Sequence, residues 1–323
     1  LLPTSGTTQS PKFVRLSKSN LIENSKGIIN ELNIKKNHTT ITTMPMGYSY
    51  GLSILNTHLL IGSKIVLNES TIFEKAFWNK IKEKKINSFG GVPEFYDFLR
   101  KLKFDQKDLS SIKYITQAGG KLESDTINYL EKMCLKKRIN FFKMYGQTEA
   151  SPRISILKWK FFKRKKDSVG KPLKGCKVGL IDSKGKTINK KNKIGEIFIK
   201  GKNVCLGYSK NINDLSKKDI NKKKLLTGDL GFIDEDNFIF IVGRKKRFVK
   251  LFGIRMEMND IENILKKNKI KCKCILADHK LKIKIENVKL AEKTKQILNQ
   301  YLGLNKNYIF VELDESKSFK RIV

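Results

Sequence analysis

The sequence predicts an α/β protein with two domains. Apolar runs typical of β-strands alternate with amphipathic runs typical of helices from residue 20 to residue 149, which indicates a sheet with a parallel core. After Pro152 the pattern changes to short strands separated by turns, and strand–helix alternation returns near the end. We therefore predict a large N-terminal domain at 1–242, including a small β subdomain at about 153–242, and a small α+β domain at 243–323.

The elements of the first domain can be placed from hydrophobic periodicity. Amphipathic helices are predicted at 20–32, 73–84, 94–102 and 125–133, and the apolar run 52–61 predicts a buried helix. Strands are predicted at 40–44, 64–67, 112–116 and 140–144, with a strand end at 88–93. Ligands of such sheets bind at the carboxyl ends of the strands. Three polar or glycine-rich loops follow predicted strand ends, at 4–12, 117–121 and 145–149.

The composition is that of a globular protein with an evenly spread positive charge. Of the 323 residues, 39% are hydrophobic, which is enough to form a sizeable core. The formal net charge is +36, but the lysines occur along the whole chain. Only 159–166 interleaves aromatic and basic side chains, and we interpret it as a solvated connecting segment. We therefore predict no nucleic-acid partner, although the charge should attract nucleotide phosphates.

The cysteines and histidines indicate neither a metal site nor a disulfide framework. The five cysteines are odd in number, and Cys272 and Cys274 are too close for an ordinary disulfide. The three histidines lie far apart in the sequence. This pattern favours a reducing, cytoplasmic location. No apolar run approaches the ~20 residues that cross a bilayer, so we predict no transmembrane segment.

The polar loop near the start of the chain could bind phosphate. Its glycine lets successive backbone N–H groups point in one direction, and its hydroxyls and lysine add donors and positive charge. Apolar residues precede the loop and a strand-like run follows it at 13–16. A polar surface turn is the alternative interpretation. The residues proposed for binding are Thr4, Ser5, Gly6, Thr7, Thr8 and Lys12.

Two further runs combine glycine with carboxylates near strand ends. The segment Tyr145–Glu149 contains an aromatic face that can stack on a purine and a carboxylate that can hold Mg²⁺. Asp229 follows a glycine directly and can accept hydrogen bonds from two ribose hydroxyls. Taken alone, a packed tyrosine with a solvated glutamate is an equally good interpretation of the first run. A turn aspartate is the favoured interpretation of the second run when it is taken alone.

Basic residues surround glycines at the start of the second predicted domain. Gly243-Arg244 and the run 250–257 would suit contacts with phosphate or ribose. The alternative is a basic surface hairpin that leads into a helix with an acidic first turn.

In this order and at this spacing, the motifs resemble those of the acyl-adenylate-forming (AMP-binding) superfamily. That superfamily includes acyl- and aryl-CoA synthetases, adenylation domains of peptide synthetases and firefly-type luciferases. The resemblance covers essentially the whole chain and implies that the family's large domain has a further N-terminal part. The matching runs are 4–12, 145–149, 168–172, 195–196, 207–208, 227–229 and 243–262.

The resemblance implies a reaction and a cofactor set. A carboxylic acid attacks the α-phosphate of Mg²⁺-bound ATP to give an acyl-adenylate and pyrophosphate. A thiol, either CoA or a carrier-protein phosphopantetheine, then takes the acyl group. The small C-terminal domain acts as a lid that rotates about a hinge, here at Lys246.

The same resemblance implies residue roles. The 4–12 loop would hold the β- and γ-phosphates, Thr148 would contact the α-phosphate, and Glu149 with Thr148 would hold Mg²⁺. Asp229 and Arg244 would bind the ribose. Lys320 is the candidate catalytic lysine of the lid, and the Gly253 loop would enter for thiol transfer. The adenine would be lined by Gly119, Gly120, Lys121, Tyr145, Gly146 and Gln147.

The acid pocket is less defined by the sequence. Its candidates are Tyr48, Tyr50, Phe89 and Gly91, with core packing as the alternative. Tyr48 stands where many acyl-CoA synthetases have a histidine. The absence of acidic residues between Thr39 and Leu67 favours an acyl or aryl acid over a free α-amino acid.

We therefore expect an AMP-forming acid–thiol ligase that uses a small-molecule carboxylic acid, ATP, Mg²⁺ and a thiol co-substrate. One alternative is an adenylation domain that loads an acyl carrier protein. Another is an adenylate-binding protein of the same fold without full turnover.

Overall fold

The computed structural model describes residues 1–3, 13–245, 248–251, 254–277, 280–302 and 309–313. They form two compact units, one of residues 1–3 and 13–243 and one that begins at Arg244. The strands up to this boundary are β1 (Leu2–Pro3), β2 (Phe13–Arg15), β3 (Thr39–Ile41), β4 (Lys64–Val66), β5 (Ser88–Gly91), β6 (Tyr114–Gln117), β7 (Asn140–Gly146), β8 (Arg153–Leu157), β9 (Lys171–Pro172), β10 (Cys176–Ile181), β11 (Thr187–Ile188), β12 (Gly195–Gly201), β13 (Gly207–Ser209), β14 (Lys224–Ile233) and β15 (Ile239–Arg244). The helices are α1 (Lys18–Leu32), α2 (Ser49–Leu60), α3 (Lys75–Glu83), α4 (Pro93–Lys101), α5 (Ser124–Lys137) and α6 (Trp159–Lys165).

A seven-stranded sheet forms the centre of the first unit. Its strand order is β4-β3-β5-β6-β7-β8-β9, and the pairs from β4 to β7 are parallel. This confirms the predicted α/β fold with a parallel core. The carboxyl ends of β5, β6 and β7 lie side by side, because Gly91 pairs with Gln117 and Gln117 pairs with Lys143. The loops that leave these ends therefore converge on one edge of the sheet.

Apolar side chains cover both faces of this sheet. One cluster contains Phe77, Phe104 and Phe141, all fully buried. The other includes Ile28 of α1 and Tyr50 of α2, and it also takes in residues of the neighbouring β subdomain such as Ile199. The sheet is thus a buried layer between these two clusters.

Helix α2 differs from the buried apolar helix predicted at 52–61. Its leucines Leu59 and Leu60 are 61% and 44% exposed, whereas Ser53 and Thr57 are buried. The buried hydroxyls are satisfied within the helix, since Ser53 Oγ donates to Tyr50 O at 2.7 Å and Thr57 Oγ1 donates to Ser53 O at 2.8 Å. The helix is present at the predicted place, but the expectation of full burial was wrong, because composition alone does not say which face of a helix turns inward.

The basic–aromatic run at 159–166 is also different from its prediction as a solvated connecting segment. It forms α6, and Phe162 is only 1% exposed. The Phe162 ring packs edge-on against Phe141 with 5.3 Å between ring centroids. The aromatic residues thus anchor α6 to the core.

An antiparallel five-stranded sheet, in the order β11-β10-β12-β14-β15, follows the central sheet along the chain. A third sheet pairs β2 with β1 on one side and with β13 on the other. Buried Arg15 on β2 donates through Nη2 to Leu206 O at 3.1 Å, which holds the β13 region to β2. Strands β1 and β2 flank the 4–12 loop, which lies outside the described residues.

The second unit has its own core. It contains strands β16 (Phe248–Leu251) and β17 (Ile254–Glu257) as a hairpin, and β18 (Cys272–Ala277), β19 (Lys280–Ile285) and β20 (Ile309–Leu313) as a sheet. Helices α7 (Met258–Lys267) and α8 (Ala291–Leu302) pack with that sheet around Ile261, Leu265, Ile283 and Leu298. None of the described helices combines the length and apolar composition that crossing a membrane requires.

Candidate active site

The candidate site is built around the end of β7. Strand β7 ends at Gly146, and a short 3₁₀ turn, Thr148–Ala150, follows. A Cβ atom on Gly146 would lie 2.0 Å from Pro152 O, so only glycine fits here without movement of the backbone. Gln147 N donates to the same carbonyl at 2.9 Å. The segment 145–149 is therefore fixed tightly against the start of β8.

Tyr145 and Asp229 form a direct hydrogen bond although 84 residues separate them. Tyr145 Oη donates to Asp229 Oδ2 at 2.6 Å, and Asp229 is 2% exposed. Thr227 orients the aspartate by accepting from Asp229 N at 3.1 Å, and it donates to Ile197 O at 2.9 Å. The intervening Gly228 has φ +72°, which favours glycine. The aromatic residue and the carboxylate selected from the sequence thus lie in one cluster.

Glu149 is held by a residue to which the sequence assigned no role. Tyr208 Oη donates to Glu149 Oε1 at 2.8 Å, and the carboxyl group is largely buried. The Glu149 carbonyl accepts from Cys205 N at 2.9 Å. Tyr208 lies on β13, so the third sheet contributes directly to this cluster. The Gly207-Tyr208 pair was visible as a family motif, but only the fold shows its contact.

The motif at 45–51 lies next to the same turn. Thr148 Oγ1 is 3.2 Å from Ser49 Oγ, and Ser49 is the first residue of α2. The following residue, Tyr50, is buried, and its hydroxyl donates to Thr116 O at 2.9 Å. Tyr48 is half-buried directly before the helix. Burial raises the pKa of Tyr50 to about 12, so its hydroxyl stays protonated and can donate.

The loop after β6 presents an exposed backbone at the neighbouring strand end. Gly119, Gly120 and Lys121 are all exposed, and Gly119 has φ +97°, which favours glycine. Gln117 Nε2 donates to Gly120 O at 3.0 Å and so shapes the loop. These residues lie one strand away from the end of β7.

The four acid-pocket candidates fall on two faces of the sheet. A Cβ on Gly90 would lie 2.5 Å from Tyr50 Oη, so this face of β5 meets α2. Phe89 and Gly91 point the other way, since side chains alternate along a strand. Phe89 is 1% exposed and packs against Phe95 with ring centroids 6.0 Å apart, and a Cβ on Gly91 would also meet Phe95. The structure thus places Ser49, which lies between Tyr48 and Tyr50, next to the Thr148 turn, and it places the Phe89 side chain in the core.

The remaining predicted site residues lie in the second unit or outside the described residues. Arg244 is the half-buried last residue of β15 and belongs to the second unit. The others lie outside the described residues and are Thr4, Ser5, Gly6, Thr7, Thr8, Lys12, Gly253 and Lys320.

The structure also reveals a cation that the sequence did not indicate. Arg153, four residues after Glu149, is 2% exposed, and its Cζ lies 4.8 Å from the centroid of the Tyr50 ring. Burial lowers the pKa of its guanidinium, while the nearby Tyr50 and Tyr48 hydroxyls act in the opposite direction. In the sequence Ser151-Pro152-Arg153 resembles an ordinary turn, and its burial depends on the fold.

Comparison with known proteins agrees with this geometry. A family model described as AMP-binding enzyme matches residues 1–209. The chain belongs to the AMP-binding enzyme family. This confirms the family expected from the motifs, and the matched region includes the 145–149 segment.

The relatives named in the comparison are ligases. A 2-succinylbenzoate–CoA ligase of Bacillus cytotoxicus is 29% identical over 266 residues, which are 82% of this chain and 53% of that protein. An oxalate–CoA ligase of Saccharomyces cerevisiae is 28% identical over 269 residues, covering 82% and 48% respectively. The chain thus spans about half the length of these curated relatives.

A solved structure shares the fold. The o-succinylbenzoate CoA synthetase of Bacillus subtilis, bound to a product analogue, superposes with a TM-score of 0.78 at 22% identity. The match covers 98% of this chain and 67% of that one. The described arrangement is therefore the fold of an adenylate-forming enzyme.

Proposed function

We propose that the protein activates a carboxylic acid with ATP and transfers the acyl group to CoA. The observation that carries this proposal is the cluster at the end of β7, where Tyr145 bonds to Asp229 and the Glu149 turn meets the start of α2. The names of the ligase relatives support the same reaction class. Because the names of these relatives specify the small organic acids 2-succinylbenzoate and oxalate, we propose a small organic acid as the substrate class.

In this proposal the described residues bind and orient the two reactants. The Tyr145 ring and the exposed Gly119–Lys121 loop line the adenine, and Asp229 accepts hydrogen bonds from the ribose. Thr148 contacts the α-phosphate, and the adjacent Ser49 and Tyr48 approach the acid. A carboxylate oxygen then attacks the α-phosphorus, and the bond to the pyrophosphate oxygen breaks. Positioning and charge neutralisation supply most of the catalysis in such a transfer.

The oxygen donors of the Thr148–Glu149 turn fit a magnesium ion. Mg²⁺ takes hard oxygen ligands and usually needs only one or two protein carboxylates, because phosphates and water complete its shell. Glu149 supplies a carboxylate fixed by Tyr208, and Thr148 supplies a hydroxyl in the same turn. The ion would neutralise phosphate charge when bound.

The remaining roles stay predictions that follow from the family. We propose that the loop containing Thr7 and Lys12 grips the β- and γ-phosphates and that Lys320 acts from a C-terminal lid at 243–323. Arg244 assists at the ribose, and the lid turns at Lys246 so that the Gly253 loop serves thiol transfer. A cytoplasmic location, where CoA and ATP are available, completes the proposal.

Acid-dependent exchange of pyrophosphate into ATP tests the proposal on the full-length gene product. We expect exchange with at least one member of a broad acid panel and a loss of about 100-fold or more in Glu149→Gln. Glu131→Gln, on α5 and half-buried, is the matched control and should retain wild-type activity within about twofold. ATP binding without exchange for any acid would contradict the enzyme proposal and favour an adenylate-binding protein.

The thiol acceptor needs a second assay. Starting from the acyl-adenylate, transfer to free CoA should be faster than transfer to a phosphopantetheine-bearing carrier protein. The reverse order would make the protein a carrier-loading domain and would leave the adenylation step unchanged.

A further inference from the structure

Glu149 is a buried carboxylate whose charge no described cation neutralises. The residue is 7% exposed, and its side chain accepts a hydrogen bond from Tyr208. Within the described ranges, no lysine, arginine or histidine forms an ion pair with it, although the chain has 67 lysines and arginines and 31 acidic residues. A buried charge without an opposite charge is costly, so such a carboxylate is expected where a bound cation completes its environment.

The segment 205–208 holds Glu149 at two points. Cys205 N donates to Glu149 O at 2.9 Å, and Tyr208 Oη donates to Glu149 Oε1 at 2.8 Å. The first bond fixes the main chain of the 3₁₀ turn, and the second fixes the end of a side chain with several rotatable bonds. The other carboxylate oxygen, Oε2, has no hydrogen-bond partner in the part of the chain that the structure describes. One oxygen is thus used for orientation, and the other is left for a ligand.

Tyr208 is itself held against β2. It pairs with Val14, and the preceding Gly207 pairs with Arg15. The buried Arg15 side chain donates to Leu206 O at 3.1 Å, and Leu206 N donates to Arg15 O at 2.9 Å. Gly207 has φ +128°, which favours glycine directly before the tyrosine. The position of β13 along β2 is therefore fixed by several bonds.

Strand β2 is also one of the two strands that flank the 4–12 loop. Strand β1 ends at Pro3, β2 begins at Phe13, and these two residues are paired. The two ends of the loop and Tyr208 therefore belong to one three-stranded sheet, in which neighbouring strands lie about 4.8 Å apart. A single sheet thus supports both the loop proposed for the β- and γ-phosphates and the carboxylate proposed for the metal ion.

We propose that Tyr208 is a positioning residue for the metal: its hydroxyl orients the Glu149 carboxylate so that Mg²⁺ and ATP bind cooperatively. This inference rests on the proposed function, because it assumes that ATP binds at the Thr148–Glu149 turn. Groups that hydrogen-bond to metal ligands orient them, and their loss typically costs about 10- to 100-fold in metal affinity. A phenol suits this task because it donates a hydrogen bond but carries no positive charge that would compete with the ion.

Binding of ATP with and without metal tests the inference, and it requires no turnover. The full-length protein, without acid, is titrated with ATP by calorimetry in excess Mg²⁺ and in EDTA. The Kd in EDTA divided by the Kd in Mg²⁺ measures the cooperativity. We expect Tyr208→Phe to lower this ratio about 10-fold and to leave the Kd in EDTA within about twofold of wild type. An unchanged ratio, a wild-type ratio near unity, or an equal loss of affinity in both conditions would overturn the inference.

Two further variants show whether Tyr208 acts through Glu149, with each titration made below the melting transition. Tyr129→Phe also loses a hydrogen bond from a phenol to a carboxylate, that of Asp105, and should keep the wild-type ratio. Glu149→Gln should lower the ratio, and adding Tyr208→Phe to it should change the ratio by less than about twofold. The inference is overturned if Tyr129→Phe lowers the ratio as much as Tyr208→Phe, or if Tyr208→Phe has its full effect in the Glu149→Gln background.

The outcomes separate this inference from the proposed function. If Tyr208→Phe weakens the cooperativity of Mg²⁺ and ATP but no acid supports pyrophosphate exchange, the inference stands and the adenylation proposal fails. If exchange occurs and the cooperativity does not depend on Tyr208, the adenylation proposal stands and the inference fails.

Discussion

The hydrogen bond between Tyr145 and Asp229 gives a quantitative test of the candidate site. Tyr145→Phe removes one O–H donor and keeps the ring. The bond is 2.6 Å long, joins a hydroxyl to a carboxyl group and is buried. Hydrogen bonds to charged groups contribute about 1.5–3 kcal/mol, so we expect the free energy of unfolding to fall by about 2 kcal/mol. For a unit of this size that is a fall of roughly 4–8 °C in melting temperature.

The same variant should weaken ATP binding, because Asp229 loses one of the groups that orient it. We expect the Kd for ATP to rise about 3- to 10-fold, measured by calorimetry below the melting transition. Tyr129→Phe is the matched control, since Tyr129 Oη also donates to an aspartate, Asp105, at a half-buried position on α5. It should lose stability and retain ATP affinity. If Tyr145→Phe leaves both quantities unchanged, or if the control loses ATP affinity equally, the assignment of this pair to the nucleotide site is refuted.

Three further predictions address the site and its support. We expect wild-type protein to bind ATP about 10-fold more tightly than 2′-deoxy-ATP, and Asp229→Asn should bring this ratio of Kd values towards unity, because the ribose hydroxyls lose their strongest acceptor. An unchanged ratio would show that Asp229 does not bind the ribose. Gly146→Ala should destabilise the protein by about 3 kcal/mol or more in denaturant unfolding, because its Cβ would lie 2.0 Å from Pro152 O. Gly47→Ala is the control and should be almost neutral, because a Cβ on Gly47 would have no neighbour within 4 Å. Equal losses of stability in the two variants would contradict the close approach at Gly146. Burial lowers the pKa of Lys143 to about 8. Between about pH 8 and pH 10.4 the unfolded chain therefore holds a proton that the folded protein has released, and this group makes stability rise with pH. Lys143→Met removes that contribution, so its stability relative to wild type should be most favourable below pH 8 and should become less favourable by about 3 kcal/mol as pH rises to 10.4. A pH-independent difference between the two proteins would show that the Lys143 proton is not linked to folding.

The parallel core could be predicted from the sequence because it depends on local patterns. The run 140–144 is short and contains three large apolar residues, and Gly146 follows it, so a strand with a ligand-binding loop at its carboxyl end was expected. The structure has β7 at that place. The glycines of the loops could be selected from the sequence for the same reason, since the positive φ of +97° at Gly119 is a requirement of the local backbone.

Contacts between distant segments could not be predicted in this way. Nothing in the spacing of Tyr145 and Asp229, or of Glu149 and Tyr208, indicates that their side chains form hydrogen bonds. These contacts depend on how the antiparallel sheets pack beside the central sheet. The family resemblance placed three of these four residues in one site, but it did not supply their bonds or a role for Tyr208.

The buried face of a helix also could not be predicted from the sequence. The apolar run in α2 suggested complete burial, yet its leucines Leu59 and Leu60 face outward and Ser53 and Thr57 face inward. The basic character of α6 suggested solvation, yet Phe162 anchors it. In both helices a few tertiary contacts determine the buried face, and average composition does not contain that information.

The fate of the carboxylate oxygen tests the central claim most directly. The full-length protein is given ATP, CoA and an acid, chosen by the exchange assay, whose carboxylate carries ¹⁸O. Attack on the α-phosphorus places one labelled oxygen between carbon and phosphorus, and attack of the thiol on the carbonyl carbon then breaks the carbon–oxygen bond. Mass spectrometry should therefore find one labelled oxygen in AMP for each thioester formed. Unlabelled AMP, or formation of ADP with the label in inorganic phosphate, would contradict adenylation at this site.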